Sequence, residues 1–328
     1  MIEQELSRCV ASFYPGATGV AAAAKLSGGA SQETWSFDIV HANGSFGAIL
    51  RRSPKGYGAA PTRAAGLAAE ARLMQLAHDA GVPSPKVMHV LKPDDALGTG
   101  FIMARVEGET IARKILRDEQ FAAARPMLAR QLGKVAAGIH SLPRGELPEL
   151  REMSATKEIG ELDREYRSFN WPRPVFDLAL RWLRNHDPGP SEEVTLVHGD
   201  FRHGNLIIGS DGVRAVLDWE LAHLGDPMED LGWICVNSWR FGEIDKPVGG
   251  FGTREELFAG YEAAGRRADP ERVMFWEVMG TLRWGVMCCG MMQRFRQGPD
   301  HSMERAMIGR RSSETEIDLL RLLAPRGK

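Results

Sequence analysis

One short stretch of the sequence contains residue types that could perform phosphoryl transfer. Within it, His198, Asp200 and Asn205 follow the spacing H-x-D-x-x-x-x-N. Kinase catalytic loops have this spacing, in which the Asp accepts the proton of the attacking hydroxyl and the Asn holds a magnesium ion. Asp218 follows where a second metal-binding carboxylate is expected. We therefore expect Asp200 to be catalytic, and Asn205 and Asp218 to be ligands of Mg²⁺.

Apolar runs on either side of this motif predict the strands that would position it. One run precedes the motif, and two more follow it with a Gly-Ser-Asp-Gly turn between them. A loop that ends in such a hairpin holds its polar residues around one point, where magnesium favours carboxylate, carboxamide and phosphate oxygens. The three runs cover residues 194–197, 206–208 and 213–217.

Each of the three polar residues also has a purely structural explanation. Asp200 could form an Asx turn, Asn205 could adopt the left-handed conformation, and Asp218 could cap a strand end. Only the joint pattern, in its strand and hairpin context, favours phosphoryl transfer.

A histidine-ligated metal site, as in a metallophosphoesterase, is the other chemical interpretation of the motif. It would use His198 and His203, but such sites need further ligands, and no upstream D-x-H or G-N-H supplies them. We expect His198 to brace the loop through hydrogen bonds and His203 to be incidental.

Three further stretches make the chain similar to a known family. They are the run Leu-Ser-Gly-Gly-Ala-Ser at 26–31, Arg51-Arg52 followed by Ser-Pro, and Asp218-Trp219-Glu220. With the catalytic motif, they resemble the aminoglycoside phosphotransferase family of small-molecule kinases, and in particular its branch fused to acyl-CoA dehydrogenases.

The resemblance implies an α+β, two-lobed protein-kinase-like fold. A small N-terminal lobe, residues 1–105, would contain an antiparallel sheet and one main helix. A hinge at about 103–108 would lead to a larger, mostly helical lobe at 106–328. Alternating and apolar runs predict most of the strands of a sheet near five strands in size. These runs lie at 33–39, 45–51, 83–90 and 100–106, with an Asn-Gly turn between the first two.

The glycine-rich segment lies just before the first hairpin. In a kinase-like fold its backbone amides would approach the phosphates of ATP, which side chains at Gly28 or Gly29 would obstruct. We expect Gly28, Gly29 and Ser31 to bind the nucleotide in this way, and a simple turn is the alternative. At the hinge, backbone groups from Met103 to Val106 would bond the adenine.

Arg51 aligns with the lysine that kinases use on their third strand to grip the nucleotide phosphates. Arginine keeps a permanent charge and can bind phosphate bidentately. Glu70, in a helix predicted over residues 64–80, is the expected partner that orients Arg51, and a surface glutamate is the alternative. Arg52 should point to the other face of the strand and be solvated, unless a bulge exchanges the two arginines.

Acidic residues after the motif are expected to support it. The run at 226–231 resembles the family's G-D-P-x-x-D-L segment, whose acidic residues, here Asp226 and Asp230, would support the catalytic loop. Asp230 could instead cap a helix. Glu220 would steady magnesium through water.

The composition sets broad limits on the class of protein. The 328 residues, 43% of them hydrophobic, suffice for two domains of ordinary size. A net charge of −2 argues against a nucleic-acid partner. No run has membrane-spanning length and the amino terminus lacks signal-peptide features, which predicts a cytoplasmic protein. The cysteines lack paired C-x-x-C spacing and are expected to be reduced and buried. They are Cys9, Cys235, Cys288 and Cys289.

The sequence says less about the phosphate acceptor. A kinase of polycationic aminoglycosides would need an acidic acceptor cleft, but basic and acidic residues are nearly balanced after position 108. Arginines accumulate late in the chain, which favours a neutral or anionic small molecule with a hydroxyl. A methionine- and tryptophan-rich helix predicted at 271–296 should mainly form core, and the alternative is a wall for an apolar or acyl-bearing acceptor.

These observations predict an ATP- and magnesium-dependent phosphotransferase that acts on a small-molecule hydroxyl, which the resemblance suggests could belong to an acyl compound. The alternatives are a non-catalytic nucleotide sensor, which the arginine in place of lysine would fit, and a true aminoglycoside kinase. The sequence is silent on the oligomeric state.

Overall fold

The computed structural model describes residues 2–26, 32–53, 64–298 and 302–324. The N-terminal region forms an antiparallel five-stranded sheet, with the spatial order β1-β2-β3-β5-β4. The strands are β1 (Ala17–Leu26), β2 (Glu33–His41), β3 (Gly44–Ser53), β4 (Val87–Val90) and β5 (Thr99–Ala104). The predicted hairpin and sheet size are confirmed, although β1, rich in alanine, was not foreseen.

Two helices pack on opposite faces of this sheet. Helix α1 (Ile2–Phe13), also not foreseen, buries Leu6 and Val10 against one face, in a core with Phe37 and Leu50. Helix α2 (Leu67–Asp79) packs on the other face, in a core that includes Phe101. Successive residues of a strand point to opposite faces, so Arg51, whose register partner is Phe101, lies on the α2 face.

The C-terminal region is mostly helical. Among the described residues its helices are α3 (Ala112–Arg117), α4 (Arg125–His140), α5 (Ala155–Ser168), α6 (Pro174–Asn185), α7 (Met228–Cys235), α8 (Arg254–Ala263), α9 (Pro270–Gln297), α10 (Met303–Gly309) and α11 (Ser312–Leu323). Helix α9 is buried along most of its length, and α5, α6, α7, α10 and α11 pack against it, whereas α8 packs on α4. The two-region kinase-like architecture is thus confirmed.

Four short strands interrupt these helices and position the catalytic motif. Strand β6 (Thr195–Val197) pairs with β9 (His223–Gly225), and β7 (Leu206–Gly209) forms the predicted hairpin with β8 (Gly212–Val216). Residues 198–205 therefore connect two strands that are buried on both faces, and Asp218 follows directly after the hairpin.

All four cysteines are free and buried, as expected from their spacing. None of the helices that the structure describes combines the length and the apolar character needed to cross a membrane.

Candidate active site

The catalytic loop is anchored by Asp230, a fully buried residue of α7. Its carboxylate accepts hydrogen bonds from the backbone N–H groups of His198, at 2.8 Å, and Gly199, at 3.0 Å. His140 of α4 bonds the same carboxylate at 3.0 Å. Burial alone would raise the pKa of Asp230, but the bonds from His140 and the loop outweigh it and lower the pKa. Asp230 thus supports the loop, whereas Asp226 bonds Arg272 of α9 instead.

His198 braces the loop through both ring nitrogens. Its Nδ1 accepts a hydrogen bond from the backbone of Asp200 at 3.2 Å, so its Nε2 carries the proton and donates to Leu217 O at 3.0 Å. Gly199 sits in the left-handed region with φ of 79°, and a Cβ there would lie 2.6 Å from Leu221 O. The loop therefore packs directly against the segment that contains Asp218.

The carboxylate of Asp200 is oriented by three donors. Its Oδ1 accepts hydrogen bonds from Arg202 Nε and Trp233 Nε1, both at 2.8 Å. Its Oδ2 accepts one from Asn205 Nδ2 at 2.7 Å. The side chain remains 13% exposed, so it can still meet a substrate. The sequence did not single out Arg202, although it lies within the motif, or Trp233, which reaches the site only through the packing of α7.

Asn205 and Asp218 offer oxygen atoms at the other end of the loop. Asn205 uses its amide nitrogen for two bonds to Asp200, so the carbonyl oxygen is the atom that can face a cation. The backbone of Asn205 accepts a bond from Leu217 N at 2.7 Å, which ties the loop to the residue before Asp218. Asp218 adopts φ of 62° and its side chain is 32% exposed.

Arg51 reaches from β3 to this group of residues. Its Nη2 lies 2.8 Å from Asp218 and 3.3 Å from Glu220. Its Nε lies 3.2 Å from Glu70 Oε2, although the Nε–H hydrogen bond goes to Gln32 Oε1 at 2.8 Å. The structure therefore brings Arg51 and Glu70 together as an ion pair, and adds two carboxylates from the catalytic region.

Three carboxylates surround this one guanidinium. Burial, with the nearby charges of Asp218 and Glu220, raises the pKa of Glu70 to about 8 despite the attraction of Arg51. Burial and the charge of Asp218 also raise the pKa of Glu220. Desolvation is the first cause of both shifts, and the neighbouring carboxylates add to it. The oxygen donors of Asn205 and Asp218 are of the type that fits a magnesium ion.

Two minor expectations were wrong. Arg52 is not solvated: its side chain is 14% exposed, lies 2.9 Å from Glu33 and donates to Leu97 O at 3.3 Å. His203 is not incidental, because it is buried against Phe251 and hydrogen-bonded to Gly249 O. Burial lowers the pKa of His203 to about 4, which suits a neutral structural imidazole.

The remaining nucleotide-binding candidates are only partly described. Gly28, Gly29 and Ser31 lie outside the described residues. Met103 lies inside the sheet, with Ile49 and Val87 as register partners. Val106 lies beyond the end of β5.

A cleft of about 470 Å³ opens beside Asp200. One wall is a face of α9, where Met287 is 36% exposed and Met291 is partly exposed. The expectation that this helix mainly forms core holds for Trp276 and Met279, which are buried, and Met291 packs against the core around Trp233 while also lining the cleft. It is wrong for Met287. Basic residues dominate its charged lining, which comprises Arg151, Arg202, Arg283, Arg294, His223, Glu165 and Asp200.

The antiparallel sheet, the helical region and the loop between β6 and β7 define a protein-kinase-like fold. The chain belongs to the phosphotransferase enzyme family (APH), whose model matches residues 22–276. The resemblance to aminoglycoside phosphotransferases is thereby confirmed.

Comparisons with individual proteins agree with this membership. A curated relative, acyl-CoA dehydrogenase family member 10 of Mus musculus, is 30% identical over 199 residues, which are 57% of this chain and 18% of that protein. The chain thus spans less than a fifth of this relative's length.

Solved structures show the same fold. A putative aminoglycoside phosphotransferase from Ralstonia eutropha superposes with a TM-score of 0.75 at 21% identity, covering 97% of both chains. A thermostable mutant of aminoglycoside phosphotransferase APH(4)-Ia, in a ternary complex with AMP-PNP and hygromycin B, has a TM-score of 0.63 at 17% identity. That alignment covers 98% of this chain and 99% of the other.

Proposed function

We propose that the protein transfers the γ-phosphate of ATP to a hydroxyl of a small molecule with the help of Mg²⁺. The observation that carries this proposal is the convergence of Arg51 from the N-terminal sheet with Asp218 from the catalytic region, at 2.8 Å. Such convergence is what phosphoryl transfer needs, because its catalysis consists mainly of positioning and charge neutralisation. The AMP-PNP bound to a protein of the same fold supports ATP as the donor.

Each residue has a defined part in this proposal. Asp200 orients the acceptor hydroxyl and accepts its proton, since its carboxylate is fixed by three donors and faces the cleft. Asn205 and Asp218 hold magnesium, which neutralises phosphate charge when bound. Arg51, oriented by Glu70, positions the phosphates. Gly28, Gly29, Ser31 and the backbone from Met103 to Val106 complete the nucleotide site.

The acceptor is proposed to be neutral or anionic rather than a polycation. Four arginines line the cleft beside Asp200, so even with Arg202 and Arg283 paired to carboxylates the lining lacks the acidic excess that would attract a polycationic aminoglycoside. The exposed methionines of α9 suit an apolar portion, which makes a hydroxylated acyl compound a reasonable candidate. We further propose a lobe boundary at the hinge, residues 103–108, and a cytoplasmic location.

Magnesium-dependent ATP turnover across a panel of hydroxylated acceptors tests this function. We expect acceptor-stimulated turnover in the wild type, and a loss of at least about a hundredfold in Asp200→Asn, since general-base catalysis contributes about that much. Nucleotide binding without stimulation by any acceptor would favour the sensor. Turnover that is unchanged in Asp200→Asn would rule out the proposed mechanism, and efficient use of aminoglycosides would overturn the proposed acceptor class.

A further inference from the structure

We propose that the cleft contains an anion-binding subsite at Arg294, separated from Asp200 by an apolar surface. The acceptor would then be a molecule with a hydroxyl at one end, an apolar segment, and a carboxylate or phosphate at the other end. This inference rests on the proposed function, because it assumes that the acceptor hydroxyl meets Asp200.

The argument begins with one face of α9. The cleft-lining residues Arg283, Met287, Met291 and Arg294 recur at intervals of four, four and three residues. Residues at these intervals lie on the same side of a helix. Because a helix rises about 1.5 Å per residue, Arg283 and Arg294 are about 16 Å apart along the axis, and Met287 and Arg294 about 10 Å. The face therefore presents a cation, an apolar stretch and a second cation in that order.

The inner arginine is already committed to the catalytic region. Arg283 is buried, donates to Glu229 at 2.8 Å, and stacks 4.1 Å over the ring of Trp233. It also donates to Gly199 O at 3.3 Å, next to Asp200. Because Arg283 contacts Gly199, the Arg283 end of this α9 face lies beside Asp200.

The outer arginine is differently placed. Arg294 is exposed, one turn from the end of α9, and still lines the cleft. An arginine can bind a carboxylate or phosphate bidentately, and it keeps its charge at any physiological pH. Arg151 and Glu165, which carry opposite charges, also line the cleft, so Arg294 is not its only charged residue.

The surface between the two arginines is apolar and adaptable. Met287 is exposed to the cleft, Met291 lines it while packing partly against the core around Trp233, and Gly290 beside them adds no side-chain bulk. Unbranched thioethers adapt to flexible apolar ligands. A polar acceptor such as a sugar would leave this surface without a matching partner, whereas an alkyl or acyl segment would cover it.

Paired acceptors test the subsite directly. The probes are an ω-hydroxy carboxylic acid, its methyl ester, and the ω-hydroxyalkyl phosphate of the same length. In the wild type we expect kcat/KM for both anions to exceed that for the ester by about 10- to 100-fold, mainly through KM, as for one charge-assisted hydrogen-bonding group. In Arg294→Gln this preference should vanish, while the ester is used as before and Arg294→Lys restores part of it.

Arg296→Gln is the matched control. Arg296 is also exposed on α9, but it stacks 5.0 Å from the ring of Trp171 and is not among the residues lining the cleft. It should leave the preference for anions intact. An ester used as well as the acid by the wild type, or equal losses on acid and ester in Arg294→Gln, would overturn the subsite.

A chain-length series and a binding measurement complete the test. Among ω-hydroxy acids, kcat/KM should peak where hydroxyl and carboxylate are about 10 to 16 Å apart, the span of the α9 face. A flat profile counts against the proposed spacing.

Calorimetry without nucleotide separates this inference from the proposed function. If the acid binds in a way that depends on Arg294 but is never phosphorylated, the subsite is supported and the kinase function is overturned. Binding or turnover of the acid that is unchanged in Arg294→Gln would overturn the subsite, whereas phosphorylation of any acceptor would still support the kinase function.

Discussion

Arg51 donates a hydrogen bond of 2.8 Å to Asp218, a carboxylate that we assign to magnesium. Arg51 belongs to the N-terminal sheet and Asp218 to the catalytic region, so this ion pair joins the two. A magnesium ion held by Asp218 would share that carboxylate with Arg51, and Glu220 lies 3.3 Å from the same guanidinium. The pair therefore joins the two regions at the proposed nucleotide site.

Replacing Arg51 should impair nucleotide use. Arg51→Ala removes the cation and leaves Glu70 buried without it, so we expect kcat/KM for ATP to fall about 100-fold, whereas Arg51→Lys should retain part of the activity. Steady-state kinetics with ATP varied at saturating Mg²⁺ measures this.

Arg52→Ala is the control for that experiment. Arg52 lies on the opposite face of β3, paired with Glu33. Losing this mostly buried pair and the bond to Leu97 O should lower the free energy of unfolding by about 1 to 3 kcal/mol, while ATP kinetics stay near wild type. If Arg52→Ala loses nucleotide use and Arg51→Ala does not, the assignment of Arg51 is wrong.

Glu70 should make stability without nucleotide depend on pH. Its pKa is raised to about 8 in the folded protein, above the ordinary carboxyl value of 4.5. The folded state then binds more protons than the unfolded state, so the free energy of unfolding falls as pH rises through this window. Glu70→Gln removes this titration. Urea unfolding at several pH values should therefore show wild type losing stability relative to Glu70→Gln as pH rises from about 5 to about 8. Parallel curves would contradict the raised pKa.

Trp233 should act on the rate of transfer through Asp200. Trp233→Phe deletes the indole N–H that bonds Asp200 but keeps an aromatic ring under Arg283. We expect kcat to fall about tenfold, as for one hydrogen bond to a charged group, with little change in KM for ATP. Trp239→Phe is the matched control, because the N–H of Trp239 has no hydrogen-bond partner among the described residues. Equal losses in both variants would indicate a packing effect.

Asp230 should be a strong determinant of stability. Asp230→Asn replaces a buried acceptor of two backbone amides and His140 with a group that accepts at one oxygen only. We expect a loss of about 2 to 3 kcal/mol in the free energy of unfolding. Glu193→Gln, which alters an exposed pair with Arg266, should cost less than about 1 kcal/mol. Comparable unfolding midpoints for the two variants would show that Asp230 is not a support of the loop.

The sequence predicted best what is local. Asp200, Asn205 and Asp218 lie within one hairpin unit, so spacing and strand context suffice to bring them together. The prediction that Arg51 contacts Glu70 depended instead on the resemblance to kinases, in which a residue of the third strand pairs with a glutamate of the following helix.

Contacts between residues that are distant in the chain could not be predicted from the sequence. Trp233 and Asp200 meet only because α7 folds back under the catalytic loop. Strand β1 is held by its pairing with β2, while its run of alanines lacks the β-branched residues that predict strands. The burial of Arg52 depends on Leu97 O, a partner distant in the chain.

The placement of the proposed acceptor wall on α9 has an evolutionary consequence. Asp200, Asn205 and Asp218 lie on a loop and hairpin that are anchored by Asp230 of α7 and by backbone hydrogen bonds to Glu109 and Pro83. Met287, Met291 and Arg294 lie on a separate helix, and they contribute side chains to the cleft without belonging to that unit. Substitutions on one helical face could therefore redirect an enzyme of this family to a new alcohol while its chemistry stays untouched. Divergence of substrate range would then proceed by changing a few solvent-accessible side chains.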